Sequence, residues 1–584
     1  MTALSMTEPQ PVPAAAPRSR IARWTSIAWL CAFLLFGLLV MSVSNADPDL
    51  WGHVTYGNEV IRDGHLHGTT TWSYAVDDYR WVNHENIAEL VMAASDNFAG
   101  QTGLLLLKSL LTLLLLGLPV WAARRQGAGL LTCLVIVTLV SFNVSFHWLV
   151  RPHMFSYACA AALLAILTTG LPGAVTERGD DRPKWWLWLL PVLMCFWTNA
   201  HGGYLAGMAI LTAWLGLDGI ELLLRRDARL WPTIRHHALL IAVTAGACLI
   251  NPYGLELHTW MLSSLGRPRP EICEWAPLPL FSVDGLPFLG LAAGTFLCLK
   301  KTDQTRRWPG LIVMGLLTWQ AMKHHRHLPF VALIAAYLLA PHIESLVKQA
   351  FAWFAERTAA RSPSSRPARK QPGLAGLVVA VIAIAGLSAA QFPRQATLNV
   401  DRGYYPVAAM QYMHQHRLGG KVLVTFNWAQ YVLAVFSETS PDSRIAFDGR
   451  FRTCYPQSII DMYFDFLLGD VPSDKRFRSA DSGPFDATKA LEYKSPDLVL
   501  IERGRRAAAD VMRTVTDDWC LLYQDSLAEL WGRRSVFDDA TSPKYLAPAF
   551  RHTGDEPQVG SVPWPAIPKA PRTRLAFRTA VTVR

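Results

Sequence analysis

The chain has 584 residues, of which 51% are hydrophobic, only 17% are charged and 22 are Trp; that balance excludes an ordinary soluble protein of this length. The net charge of +10 does not mark a nucleic-acid binder, because Lys and Arg sit in short clusters between apolar runs, where they orient membrane segments. The nine Cys show no metal-ligand spacing. Six of them, Cys31, Cys133, Cys159, Cys195, Cys248 and Cys298, lie inside apolar runs as small core residues. Cys273, Cys454 and Cys520 fall in polar segments, which leaves a Cys454–Cys520 disulfide open in an oxidising compartment.

In chain order, residues 1–17 are rich in Pro and Ala, and 1–23 read as a disordered cytoplasmic tail. Arg18, Arg20 and Arg23 precede the first apolar run. Ser44-Asn45-Ala46 resembles a cleavage site, but the run is long for a signal peptide, so an uncleaved anchor is expected. Hydropathy places about eleven spans, near 24–43, 103–123, 127–147, 154–172, 185–199, 203–224, 237–250, 285–299, 309–322, 328–346 and 373–391. With a cytoplasmic amino terminus, every inner connection is basic: Arg124-Arg125; Arg178, Arg182 and Lys184; Arg225, Arg226 and Arg229; Lys300-Lys301 with Arg306-Arg307; Arg361, Arg366, Arg369 and Lys370. The outer turn Lys323-His324-His325-Arg326-His327 breaks the pattern. The fold expected is therefore mostly α, a polytopic transmembrane bundle over 24–391.

Two segments exceed what a turn needs. Residues 46–101 form a large first outer loop, in which Leu50, Trp51, Val54 and Ile61 suit one face of a helix lying on the membrane surface. Ile87, Leu90, Val91 and Ala94 suggest a second helix. The segment 392–540 alternates β-rich runs (422–424, 444–447, 498–501, 520–524, 528–532) with helical patterns at 487–493 and 505–515, which predicts an extracytoplasmic α/β domain. Residues 541–584, with many Pro, read as an extended or disordered end. No internal repeat is visible.

The polar motifs all map outside: Asp47-Pro48-Asp49, Trp81-Val82-Asn83-His84-Glu85, Arg151-Pro152-His153, Asn199-Ala200-His201-Gly202-Gly203-Tyr204, Asn251-Pro252-Tyr253-Gly254, Glu271-Ile272-Cys273-Glu274-Trp275 and the 323–327 cluster. Ionisable groups at membrane depth are costly and face a cavity or a partner, so several helices placing them at one level predict a shared site. Each has a plainer reading. Asp47 and Asp49 suit a helix cap, Arg151 suits interfacial snorkelling, and Asn251 to Gly254 suits a helix end and turn. His84-Glu85 suits a loop salt bridge. His324, His325 and His327 fit an interfacial anchor or an anion site better than a metal, because adjacent His side chains diverge on a helix. Acidic groups offer a general base or a divalent-cation ligand. Arg151, Lys323 and Arg326 offer positive charge for a phosphate. Trp51, Trp81, Tyr204, Tyr253 and Trp275 offer aromatic faces at the interface. Together these fit transfer of a sugar from a lipid phosphate.

The stretches DPDLWGHVTYGNEVIRDG, TTTWSY and WVNHENIAELV, then WTNAHGGYLAG, NPYGLELH and EICEW in that order, resemble bacterial members of the GT-C superfamily of membrane glycosyltransferases. FNWAQYVL and IAFDGRF look like the soluble domain appended to many of them. The resemblance covers nearly the whole chain. It implies a GT-C type bundle, a polyprenyl-phosphate sugar as donor, and inverting transfer on the outer face to an envelope glycan, lipid or protein. The family's acidic position maps onto Asp47 or Asp49, as base or as ligand of a divalent cation if one is used. His53, His84, Glu85, Arg151, His153, Asn199, His201, Tyr253, Glu274, Trp275, Lys323 and Arg326 are the expected substrate-binding set. Many relatives carry a second Trp where this chain has Gly52. The superfamily also holds remote members with little evidence of activity, so membership alone does not establish catalysis.

Two rivals are a transporter of a lipid-linked substrate and a non-catalytic envelope scaffold with the tail as a partner-binding module. Few charges inside the spans and no repeat argue against the transporter. The turn Phe447-Asp448-Gly449-Arg450 suits either a binding surface or a substrate contact.

Overall fold

A computed structural model describes residues 20–171, 183–361 and 374–568. The tail 1–17, Arg178, Arg182, Arg366, Arg369, Lys370 and the last residues of the tail, from 569, lie outside the described residues. The helical part contains α1 (Arg20–Val40), α2 (Leu50–Asp63), α3 (Asn86–Arg125), α4 (Leu130–Val144), α5 (His153–Gly170), α6 (Leu190–Ala200), α7 (Tyr204–Leu224), α8 (Leu230–Cys248), α9 (Leu255–Leu265), α10 (Leu286–Lys301), α11 (Trp308–Lys323), α12 (Leu328–Arg361) and α13 (Leu374–Ala396).

All eleven apolar segments carry helix. Among the described residues, seven helical stretches are long and apolar enough to cross a membrane: Arg20–Val40, Asn86–Arg125, Leu130–His147, His153–Gly170, Tyr204–Leu224, His325–Thr358 and Leu374–Ala396. The other four segments fall on α6, α8, α10 and α11. Three of these helices are short, and α8 carries Arg235, His236 and His237. Central α5 is almost wholly buried, whereas α13 turns Val379, Val381 and Ile382 outward, as expected of a helix whose solvent is lipid.

Two devices set the polar end of the bundle. Helix α2 stops at Gly64, whose φ of 71° is the left-handed conformation that lets its N–H bond to Val60 O. Helix α3 changes direction at Ala99 and Gly100, where φ of 56° at Gly100 breaks the ladder. Its first part packs on α2 and its second part is the apolar span. The expected second helix of the loop and the second span are thus one kinked element.

Helix α2 does not lie on a membrane surface. Leu50, Trp51 and Val54 are buried and Ile61 is exposed. The Trp51 ring packs on Tyr405 (4.8 Å), Tyr431 (5.0 Å) and Trp564 (4.7 Å), and its Nε1 donates to Pro565 O at 2.9 Å. Burying such a ring contributes roughly 4 kcal/mol of gross apolar stabilisation. Its partners lie in the tail, hundreds of residues away.

The tail begins with β1 (Asn399–Asp401) and α14 (Val407–Gln415). After β2 (Lys421–Val424) come α15 (Ala429–Thr439), β3 (Arg444–Ile445) and α16 (Gln457–Leu468). Then follow β4 (Leu498–Glu502), β5 (Trp519–Gln524), β6 (Ala528–Arg533), β7 (His552–Thr553) and β8 (Ser561–Pro563). A six-stranded sheet has the order β3-β2-β4-β6-β5-β7, with β2 parallel to β3 and β4, and β6 antiparallel to β4 and β5. The β-rich runs read from sequence form its strands. Within 541–584, read as an extended or disordered end, the described part instead supplies β7, β8 and Trp564: β8 pairs with β1, and Trp564 is buried against α2. Cys454 and Cys520 are both free, so the disulfide left open by the sequence is not formed.

The domain locks onto the first loop. Tyr74 N–H donates to Ile445 O and Ile445 N–H to Trp72 O, each at 3.0 Å. Arg450 forks onto buried Asp448 (Nη2 to Oδ2, 2.7 Å), donates to Thr71 O at 2.6 Å, and lies over Tyr56 and Trp81. The Phe447 to Arg450 turn is a latch between the two parts.

Candidate active site

Where the domain meets the helices there is a cavity of about 1030 Å³. Its floor comes from the first loop and the starts of α5 and α7, its roof from Gln430, Gly449 to Thr453 and Phe464. One side is apolar, made of Leu205, Ile210, Val313, Leu317 and Phe330. That side runs between α7 and α11 to Leu316 and Trp319, which are exposed on the outside of the bundle.

At its centre Arg151 meets three carboxylates: Asp47 (Nε to Oδ1, 3.3 Å), Asp49 (Nη2 to Oδ2, 2.5 Å) and Glu274 (Nη1 to Oε1, 2.6 Å). Asp49 N–H also donates to Asp47 Oδ1 at 3.0 Å, a local Asx turn that presents both acids together. Three carboxylates share one guanidinium, so the group retains negative charge. Burial pushes the Asp47 carboxyl up to about 7; Arg151 pulls against that shift, and Asp49 adds to it. Burial also raises Glu274, but Arg151 and Arg326 outweigh it and hold that carboxyl at about 2. Arg151 engages one oxygen of each Asp, Asp47 Oδ1 and Asp49 Oδ2.

Arg151 therefore is not a free anion clamp. Unspent positive charge lies on the adjoining wall. Arg269 and Arg326 each place the guanidinium carbon 4.9 Å from the centre of the Trp275 ring. Arg269 donates through Nη2 to Ser264 O and Oγ, but its Nε and Trp275 Nε1 are buried donors without a hydrogen-bond partner, and neither Arg269 nor Arg326 has a carboxylate partner among the described residues. Burial, with Arg452 and Arg326 nearby, pushes Arg269 down to about 10. The His cluster holds this wall in place. His324 Nδ1 bonds Trp275 O at 2.7 Å and His325 Nε2 bonds Cys273 O at 2.9 Å, so these rings staple backbone.

Beside the acids, Glu85 is ringed by histidines: His201 Nε2 at 3.5 Å, His84 Nε2 at 3.8 Å and His53 Nδ1 at 4.0 Å; His53 Nδ1 also lies 3.2 Å from Glu89 Oε1. Burial pushes Glu85 up, but His84, His53, His201 and Arg151 outweigh it and hold it at about 2. His153 lines the cavity and bonds His147 O through Nε2 at 2.6 Å.

Of the expected catalytic and substrate-binding residues, Asp47, Asp49, His53, His84, Glu85, Arg151, His153, His201, Glu274, Trp275 and Arg326 line this one cavity. Three others do not. Asn199 ties α6 to Ile250 O at 2.9 Å, Tyr253 packs beneath Arg80, and exposed Lys323 sits over Trp319. The sequence reading missed Arg269, Arg452, Glu89 and Gln430. A signal existed for Arg269, since Arg267 and Arg269 also place positive charge in an expected outer connection. Gly52 faces Gln430, whose Oε1 would lie 2.3 Å from a Cβ there.

No family model matches the chain, and no curated protein does. Solved structures do. The oligosaccharyltransferase AglB from Archaeoglobus fulgidus, in complex with an inhibitory peptide and a dolichol-phosphate, is similar with a TM-score of 0.50 at 11% identity, over 83% of this chain and 70% of that one. This chain shares the fold of that archaeal protein. The same archaeal protein in its apo form matches over the same shares at a TM-score of 0.50 and 11% identity. ArnT from Cupriavidus metallidurans, bound to undecaprenyl phosphate, is similar at a TM-score of 0.49 and 13% identity, over 90% of this chain and 99% of that one. The helical bundle with an appended sheet domain expected from the sequence is thus met at the level of fold.

Proposed function

We propose that the chain is an inverting glycosyltransferase that moves a sugar from a polyprenyl phosphate to an acceptor on the non-cytoplasmic face of a bacterial inner membrane. One observation carries this reading: an acidic centre, a wall of unspent cationic and N–H donors, and an apolar passage to the lipid-facing surface adjoin in a single cavity. The dolichol-phosphate in the AglB complex supports a ligand of that class. Sidedness is supported by Arg124-Arg125, Arg225-Arg226 and Lys300-Lys301, which end helices that run away from the cavity.

In this mechanism the isoprenoid tail lies between α7 and α11, and its phosphate meets Arg269, Arg326 and the Trp275 N–H. The acceptor hydroxyl approaches from the acidic side, and Asp47 or Asp49 takes its proton as the oxygen attacks the anomeric carbon. The bond to phosphate breaks on the opposite face, and the departing charge is stabilised by the guanidinium wall. Such stabilisation is typically worth on the order of 3 kcal/mol. Arg151 holds the acids in place instead of gripping the donor. Roof residues such as Asn427 and Arg505 are placed to meet the acceptor.

The test is incubation of purified protein with a labelled polyprenyl-phosphate sugar and candidate acceptors. Release of lipid phosphate that disappears in Asp47→Asn, Asp49→Asn or the double variant supports transfer. Binding without turnover under all acceptors would return the chain to a scaffold.

A further inference from the structure

We propose that His53, Glu85 and Glu89 form a binding site for a divalent transition ion, Zn²⁺ or Mn²⁺, separate from the Arg151 centre but in the same cavity. His53 lies on α2, Glu85 at the start of α3 and Glu89 one turn further on. One ligand atom from each stands within 4.8 Å of the other two. The i, i+4 spacing sets both carboxylates on one face of α3. Gly57 brings α2 up to that face: a Cβ there would sit 2.3 Å from Glu89 O. The donors are therefore held by a close contact between α2 and α3.

His53 Nδ1 and Glu89 Oε1 share a hydrogen bond at 3.2 Å, which an ion bound to both would replace. Two ligands of one ion at about 2.1 Å stand about 3–3.5 Å apart. His53 Nδ1 is 3.2 Å from Glu89 Oε1 and 4.0 Å from Glu85 Oε2, and the Glu85 carboxylate accepts no hydrogen bond among the described residues. Outer contacts aim the ligands in the manner of metal sites. Asn83 Nδ2 donates to the far oxygen of Glu89 at 2.6 Å, turning Oε1 toward His53. His84 and His201 flank the other oxygen of Glu85. One imidazole with two carboxylates is a mixed nitrogen and oxygen set, which favours Zn²⁺ or Mn²⁺ over Mg²⁺ or Ca²⁺. Three protein ligands leave a coordination position open, and all three residues line the cavity, so an oxygen of a bound phosphate or hydroxyl has access to it.

The proposal uses the transferase reading only for what the open position would meet; ion binding itself is read without substrate. Untagged full-length protein in detergent is stripped with EDTA, equilibrated with Zn²⁺, desalted and assayed by elemental mass spectrometry. One Zn²⁺ per chain is expected, retained in Asp49→Asn and Lys323→Ala and reduced at least tenfold in His53→Ala and Glu85→Gln. X-ray absorption of the Zn²⁺-loaded wild type should show imidazole and oxygen ligands, which needs no variant to fold. Absence of retained Zn²⁺, equal retention in the His53 and Glu85 variants, or a shell without imidazole overturns the site and leaves the transferase reading standing. A chain that holds Zn²⁺ yet transfers nothing overturns the transferase reading alone.

Discussion

The guanidinium of Arg151 and the carboxylate of Glu274, 123 residues apart in the chain, meet at 2.6 Å and close a ring of acids that begins at Asp47. Arg151→Ala removes the one cation that, among the described residues, pairs with all three of these carboxylates. Breaking a buried pair this way costs about 3–5 kcal/mol. The expected result is a marked fall in detergent Tm and loss of transfer, with part of the Tm restored in Arg151→Ala/Asp47→Asn, where one orphaned charge is gone. A Tm within a degree of wild type would show that the acids do not depend on Arg151.

The raised Asp47 carboxyl sets a pH dependence. Folding raises its affinity for a proton from 3.8 to about 7, so the folded chain binds more protons than the unfolded one across that window. Its contribution to stability is full below pH 4 and is lost as pH rises toward 7. Asp47→Asn flattens that slope. If Asp47 is the base, transfer falls about tenfold per pH unit below 7. A rate independent of pH from 5 to 8 assigns the proton to another group.

The Trp275 wall is tested by binding. Arg326→Gln and Arg269→Gln each remove a charge-assisted donor worth about 1.5–3 kcal/mol. Affinity for a short-chain polyprenyl phosphate, measured by calorimetry, should drop at least tenfold in each. Lys323→Ala, outside the cavity, should leave it unchanged. The reverse ranking would move the phosphate to the α11 end.

Gly57 is required by close approach. A methyl there meets the Glu89 carbonyl at 2.3 Å, and backbone cannot swing aside as a side chain can. Gly57→Ala should push α2 from α3 and lower stability by about 1–3 kcal/mol. By contrast, Gly52→Ala meets only the end of Gln430 and should be mild. Equal Tm values for the two variants would show that the helix contact is looser than drawn.

Local chemistry made much of this legible in advance. Every apolar segment read from hydropathy is helical, because a helix satisfies its own backbone and needs only side chains suited to lipid. The β-rich runs of the tail likewise form the sheet. The reading failed where the answer lay in a distant partner. Helix α2 has an apolar face in either environment; its composition cannot distinguish lipid from Tyr405, Tyr431 and Trp564. The helix pattern at 487–493 shrinks to Lys489–Glu492, while α15 and α16, rich in aromatic and β-branched residues, were not anticipated at all.

The sequence alone determined an apolar helical bundle and the chemical inventory at its polar end, since hydropathy, charge and residue type are properties of each segment by itself. Only the tertiary structure decided how that inventory is divided. It set Arg151 among Asp47, Asp49 and Glu274, left Arg269 and Arg326 unspent beside Trp275, and put Tyr253, Asn199 and Lys323 outside the cavity. The reason is that an ion pair depends on distances between segments far apart in the chain, and no local pattern encodes those distances.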